Sequence, residues 1–68
     1  MKNNIRVERA ILKISQQELA DRIGVSSQTI NAIELEKYVP SATVITKIAH
    51  IFGKKVEDIF SLEESDWK

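Results

Sequence analysis

The spacing from Ala20 to Gly24 constrains this chain more than any other feature. A small residue stands four positions before a glycine, between two short segments with apolar residues at helical intervals. Leu19, Ala20 and Ile23 form the first set, Ile30 and Ile33 the second. Upstream, Ser15-Gln16-Gln17-Glu18 reads as a capping box: the Ser15 hydroxyl can accept from the Glu18 amide while the Glu18 carboxylate reaches back to the Ser15 amide. Gly24 ends the first segment where a left-handed residue is easiest for glycine. Val25 plugs the corner, and Ser26 or Ser27 caps the second segment. A large side chain at position 20 would push the two segments apart. The pattern predicts two short helices crossing steeply on a shared apolar core, over about residues 16–35.

The rest of the chain reads as further short helices. Five are predicted, at about 4–13, 16–23, 27–35, 41–52 and 56–60. The fourth starts after Pro40 with Ser41 as its cap, carries Val44, Ile45, Ile48, Ile51 and Phe52 on its apolar side, and closes at Gly53. The fifth carries Val56, Ile59 and Phe60. Phe60 and Leu62 alternate with polar Ser61, which predicts a short extended tail over 61–68, packed on the chain's own N-terminus or on a partner copy. Glu63, Glu64 and Asp66 in that tail would repel any polyanion, so this end is expected to point away from an anionic partner. Trp67 beside them is either loose or an interface anchor. The expected fold class is all-α, a compact five-helix unit, with residues 1–68 forming one domain. A domain of this size buries only about 60% of its unfolded surface, so pairing with a second copy would help it.

Composition excludes or disfavours several function classes. With no cysteine there is no disulfide and no thiolate metal site, and a single His50 does not assemble an ordinary zinc site. His50 is read as a partly buried helix residue. A Ser-His-Asp triad needs a pocket and an oxyanion hole for which so short a chain has little room, so no enzyme and no cofactor is expected. No apolar run approaches the roughly 20 residues of a membrane span, and the start lacks a secretory pattern, so a cytoplasmic protein is expected. Net charge is zero, but Lys2, Arg6, Arg9 and Lys13 crowd the start while Glu57, Asp58, Glu63, Glu64 and Asp66 crowd the end. A basic end can face phosphates while an acidic end faces away; an ordinary solvated surface explains the same charges.

The apolar face of the third helix leaves Ser27, Gln28 and Asn31 on the opposite side, with Thr29 beside them. A helix fits the DNA major groove, and short polar side chains near its start reach base edges; glutamine and asparagine can pair bidentately with adenine. Gln16 stands where the amides and dipole of the second helix attract a phosphate. The plainer alternative for each is a solvated helix face, and for Thr29 a phosphate or thymine-methyl contact competes with it evenly.

The segments ISQQELADRIGVSSQTINAIE, KYVPS, KIAHIFG and EDIF together resemble the Cro/CI-type (XRE-like) helix-turn-helix transcriptional regulators, with their lambda-repressor-like DNA-binding domain, over about residues 5–60. The resemblance implies a five-helix fold whose third helix reads bases through Ser27, Gln28 and Asn31. It implies phosphate contacts at Gln16 and Lys37, and a structural ion pair between Arg9 and Glu34. It also implies a homodimer on a palindromic operator in double-stranded DNA, paired through the fifth helix and the C-terminal tail, and acting as a repressor by occupying a promoter. Three positions depart from the pattern. Glu8 replaces an aliphatic residue, so either helix one rotates to pack Val7 inward or Glu8 joins the Arg9 network. Glu36 replaces glycine, so either a left-handed Glu is strained by roughly 1 kcal/mol or the loop takes another path. Ser27 is shorter than the usual side chain there, which weakens direct readout. The rival function is a protein-interaction module that uses the same fold without reading DNA.

Overall fold

The computed structural model describes residues 1–67. Its fold is all-α, with five α-helices among the described residues: α1 (Ile5–Leu12), α2 (Gln16–Ile23), α3 (Ser27–Glu34), α4 (Ala42–Phe52) and α5 (Val56–Ile59). Two-residue strands β1 (Lys2–Asn3) and β2 (Phe60–Ser61) pair antiparallel, with Lys2 opposite Ser61 and Asn3 opposite Phe60. No helix among the described residues is long and apolar enough to cross a membrane.

Each helix start has an identifiable chemical cause. Ser15, Ser26 and Ser41 sit in extended conformation and accept from the amides of Glu18, Thr29 and Val44. Ser26, not Ser27, is therefore the cap of α3. Asn4 precedes α1 without a side-chain cap; the carboxamide oxygen of Asn3 accepts from the Ile5 amide instead, at 3.2 Å.

The helix ends are less ordinary. Four residues take left-handed backbone, Lys13 (φ 58), Gly24 (φ 78), Glu36 (φ 61) and Gly53 (φ 64), and two of the four are not glycine. After α3, the Glu36 amide donates to Ile33 and the Lys37 amide to Ala32, the paired bonds of a Schellman motif. Of the two paths open to this loop, the chain takes the strained one. Lys13 closes α1 in the same way, with bonds to Ala10 from itself and to Arg9 from Ile14. At Gly24 an added Cβ would meet nothing within 4 Å, so it is the positive φ, not crowding, that calls for glycine.

The helices close on one apolar core. Ile5, Leu19, Ala20, Ile30 and Ile48 have no exposed surface, and Ile14, Ile23, Ile33, Ala49, Phe52, Ile59 and Phe60 complete the buried set. Ala20 lies in this core, and α2 packs against both α3 and α4. Each fully buried isoleucine contributes about 1.5–3 kcal/mol.

The chain ends depart from expectation. The tail is extended only through Ser61; Glu64–Trp67 coil into a 3-10 turn held by the Asp66 carboxylate, which accepts from the Glu63 amide at 2.7 Å. Of the two expected packings, the one on the chain's own N-terminus is found: β1 pairs β2, and the Met1 amino group lies 3.2 Å from Glu63 and 3.0 Å from Asp66. The N-terminal amino group is thereby tied to the acidic tail, while Arg6 and Arg9 pair with Glu34 instead. Lys68, counted in the predicted tail, lies outside the described residues.

Candidate nucleic-acid interface

The capping of α2 and α3 sets where their first turns point, and the buried faces set which side chains are left outside. Leu19, Ala20, Ile23, Ile30 and Ile33 face the core. On α3 this leaves Gln28 and Asn31 exposed, with Ser27 and Thr29 half-buried. The Thr29 hydroxyl lies 2.9 Å from that of Ser26, the cap. Lys37 is exposed, three residues past the end of α3 in the turn built on Glu36.

Gln16 and Asn31, predicted from different helices, touch. The Gln16 Nε2 donates to Asn31 Oδ1 and to Glu34 Oε1, each at 3.2 Å. Glu34 in turn accepts a two-pronged contact from Arg9, Nε to Oε2 at 2.7 Å and Nη2 to Oε1 at 3.0 Å. The remaining Arg9 nitrogen, Nη1, donates to the Ile14 carbonyl at 3.1 Å and so steadies the turn between α1 and α2. Arg6 adds a longer contact, Nε to Glu34 Oε1 at 3.6 Å. The Glu34 side chain is 1% exposed and that of Arg9 16%. Burial pushes the Glu34 carboxyl up, but the hydrogen bonds from Arg9 and Gln16, with the charges of Arg9 and Arg6, outweigh it and hold the group below its ordinary value. The hydrogen bond to Glu34 likewise holds the Arg9 guanidinium above its own, against the opposing effect of burial.

Two expectations need correction. Neither alternative for Glu8 holds: Val7 is 58% exposed, and the buried Glu8 carboxylate pairs with Lys54 at 2.9 Å instead of joining Arg9. Helix one keeps its register, with Ile5 and Glu8 on its buried face. His50 is exposed, not partly buried, because it stands two residues beyond Ile48 and so off the inner stripe of α4.

Sequence reasoning missed other positioning contacts. The Asn3 carboxamide donates to the Ile33 carbonyl at 2.8 Å, fastening β1 to the end of α3, and Lys47 donates to the Ile23 carbonyl at 3.3 Å. Both span more than twenty residues and leave no trace in periodicity. Among the described residues no cluster of side chains could hold a metal ion.

A helix-turn-helix family model matches residues 5–59. An uncharacterized HTH-type transcriptional regulator of Methanocaldococcus jannaschii is 48% identical over 66 residues, spanning 97% of this chain and all of the relative. The HTH-type transcriptional regulator YgzD of Bacillus subtilis is 44% identical over 66 residues, with the same coverage. A third such regulator, from Methanothermobacter thermautotrophicus, is 44% identical over 69 residues and covers both chains completely.

Proposed function

The chain belongs to the helix-turn-helix family of non-enzymatic, DNA-binding transcriptional regulators, and from that premise we propose that it is a sequence-specific repressor acting as a homodimer on a palindromic operator. In this reading residues 1–68 form one DNA-binding domain in the cytoplasm, associated with the nucleoid. The third helix enters the major groove. Ser27, Gln28 and Asn31 contact bases; Gln16, at the N-terminus of α2, contacts phosphate with Thr29 and Lys37. The Arg9–Glu34 pair ties helix one to helix three.

One observation carries the reading. The exposed polar edge of α3, Gln28 and Asn31, is held on a rigid apolar back by Ile30 and Ile33 and braced from α2 by Gln16. A solvated surface needs no such bracing, whereas base readout depends on it. Dimerisation through the fifth helix and the tail draws on the exposed apolar residues Val56, Leu62 and Trp67, the last 76% exposed.

Selection of bound duplexes from a random library at near-physiological salt tests this. A palindrome with half-sites about one helical turn apart is the expected result. A folded protein that enriches nothing would sink the proposal. The rival, an interaction module that does not read DNA, draws on the zero net charge and the exposed Val7 and Ile11 of α1. Salt separates the two: phosphate contacts give a steep fall of affinity with salt, and an apolar protein interface does not.

A further inference from the structure

The way the Asn31 amide points is dictated by a chain of donors and acceptors that begins at the buried ion pair. A guanidinium can only donate, and Arg9 donates to both oxygens of Glu34. An ionised carboxylate can only accept, so the group 3.2 Å from Glu34 Oε1 has to be a donor, and Gln16 turns its Nε2 there. That nitrogen has a second hydrogen, which faces Asn31 at 3.2 Å. Asn31 therefore turns its oxygen inward, and its Nδ2 is left for the exposed side of α3.

We infer that Arg9 and Glu34 are positioning residues for base selection: acting through Gln16, they hold Asn31 with its NH2 outward. The inference rests on the proposed function, in which α3 enters the major groove. Bidentate pairing with adenine needs the carboxamide oxygen and nitrogen side by side on the outward edge, one accepting from N6 and the other donating to N7. With Oδ1 engaged by Gln16, Asn31 instead offers donors to an acceptor edge, O6 and N7 of guanine or O4 of thymine. Gln28 stands outside this chain of bonds and keeps the bidentate adenine role. Both Nε2 hydrogens of Gln16 are likewise in use, so contact of this helix end with a phosphate runs through backbone N–H groups.

The test compares duplexes selected by the full chain, by Gln16→Met and by Glu34→Gln. The position of interest is the one whose preference Asn31→Ala erases. There the unsubstituted protein should enrich guanine or thymine. Gln16→Met severs the relay while leaving both Arg9–Glu34 hydrogen bonds in place. It should admit adenine at that one position, raising it about tenfold relative to guanine, within the discrimination a bidentate contact supplies. Glu34→Gln, which can donate as well as accept, should relax the same position, and it carries the test if Gln16→Met does not fold. Adenine enriched by the unsubstituted protein overturns the inference alone. So does uniformly weaker binding of a folded variant with unchanged preference, the mark of a merely structural or phosphate-contacting role. If the unsubstituted protein enriches no duplex, the proposed function falls and this inference with it.

Discussion

The Glu8 carboxylate meets the Lys54 ammonium at 2.9 Å across 46 residues of sequence, joining the inner face of α1 to the turn after α4. The two partners are unequally buried: the Glu8 side chain is 9% exposed and that of Lys54 44%. Removing one is therefore not equivalent to removing the other. Lys54→Met strands a buried carboxylate and should lower stability by about 1–3 kcal/mol. Glu8→Leu leaves a lysine that can return to water, and should leave the melting temperature unchanged or raise it. Urea unfolding of the two variants checks the asymmetry; equal losses would show that the pair is not acting this way.

Glu36 closes α3 at φ 61, a conformation that strains any side-chain-bearing residue. Glu36→Gly removes the strain at some cost in unfolded-chain entropy. The expected net gain is about 0.5 kcal/mol, roughly 2–4 °C in melting temperature for a domain of this size. Glu36→Val should move the other way, since a branched side chain tolerates that backbone least. Thermal melts by circular dichroism read both.

Arg9 and Glu34 predict an acid-sensitive contribution to stability. The Glu34 carboxyl is held below its ordinary value in the folded chain. Its contribution is therefore fully present above the unfolded value, about 4.3, and is lost as pH falls through the lower folded value. The stability gap between the unsubstituted protein and Glu34→Gln should be widest near neutrality and close below about pH 4. Arg9→Met, which strands the carboxylate at neutral pH, should cost about 3 kcal/mol, the low end for a buried pair because Gln16 and Arg6 remain. A gap that does not change with pH would contradict this assignment.

At the proposed DNA face, base contacts and phosphate contacts should fail differently. Gln28→Ala should remove about 1–3 kcal/mol of discrimination at its own base position, and Asn31→Ala should erase the preference at its own. Lys37→Ala should weaken all sequences alike and reduce the salt slope by about 1. Competition binding at several salt concentrations separates these outcomes. If both α3 variants retained full sequence preference, the groove assignment would be wrong.

The helices were legible because their causes are local. The serine caps, the left-handed glycines and the apolar residues at i, i+3 and i+4 lie within a few positions of the turns they control. The starts of α2, α3 and α4 can therefore be read along the chain. Lys13 as a left-handed cap was not legible, since no residue type announces it, and Glu36 could only be posed as a choice. Of the candidate site, residue identities could be named from the pattern and the family resemblance. The hydrogen bond from Gln16 to Asn31 could not, because it depends on how two helices cross.

By itself, then, the sequence determined the short helices, their punctuation and the polar edge left outside on α3, all consequences of interactions within one or two turns. Tertiary structure alone decided that Glu8 answers Lys54, that Asn3 fastens β1 to the end of α3, and that the Met1 amino group meets Glu63 and Asp66. These contacts join residues 30 to 65 apart, and side-chain chemistry permits many partners at such range. Only the packing of the core around Leu19, Ile30 and Ile48 brings one of them within reach.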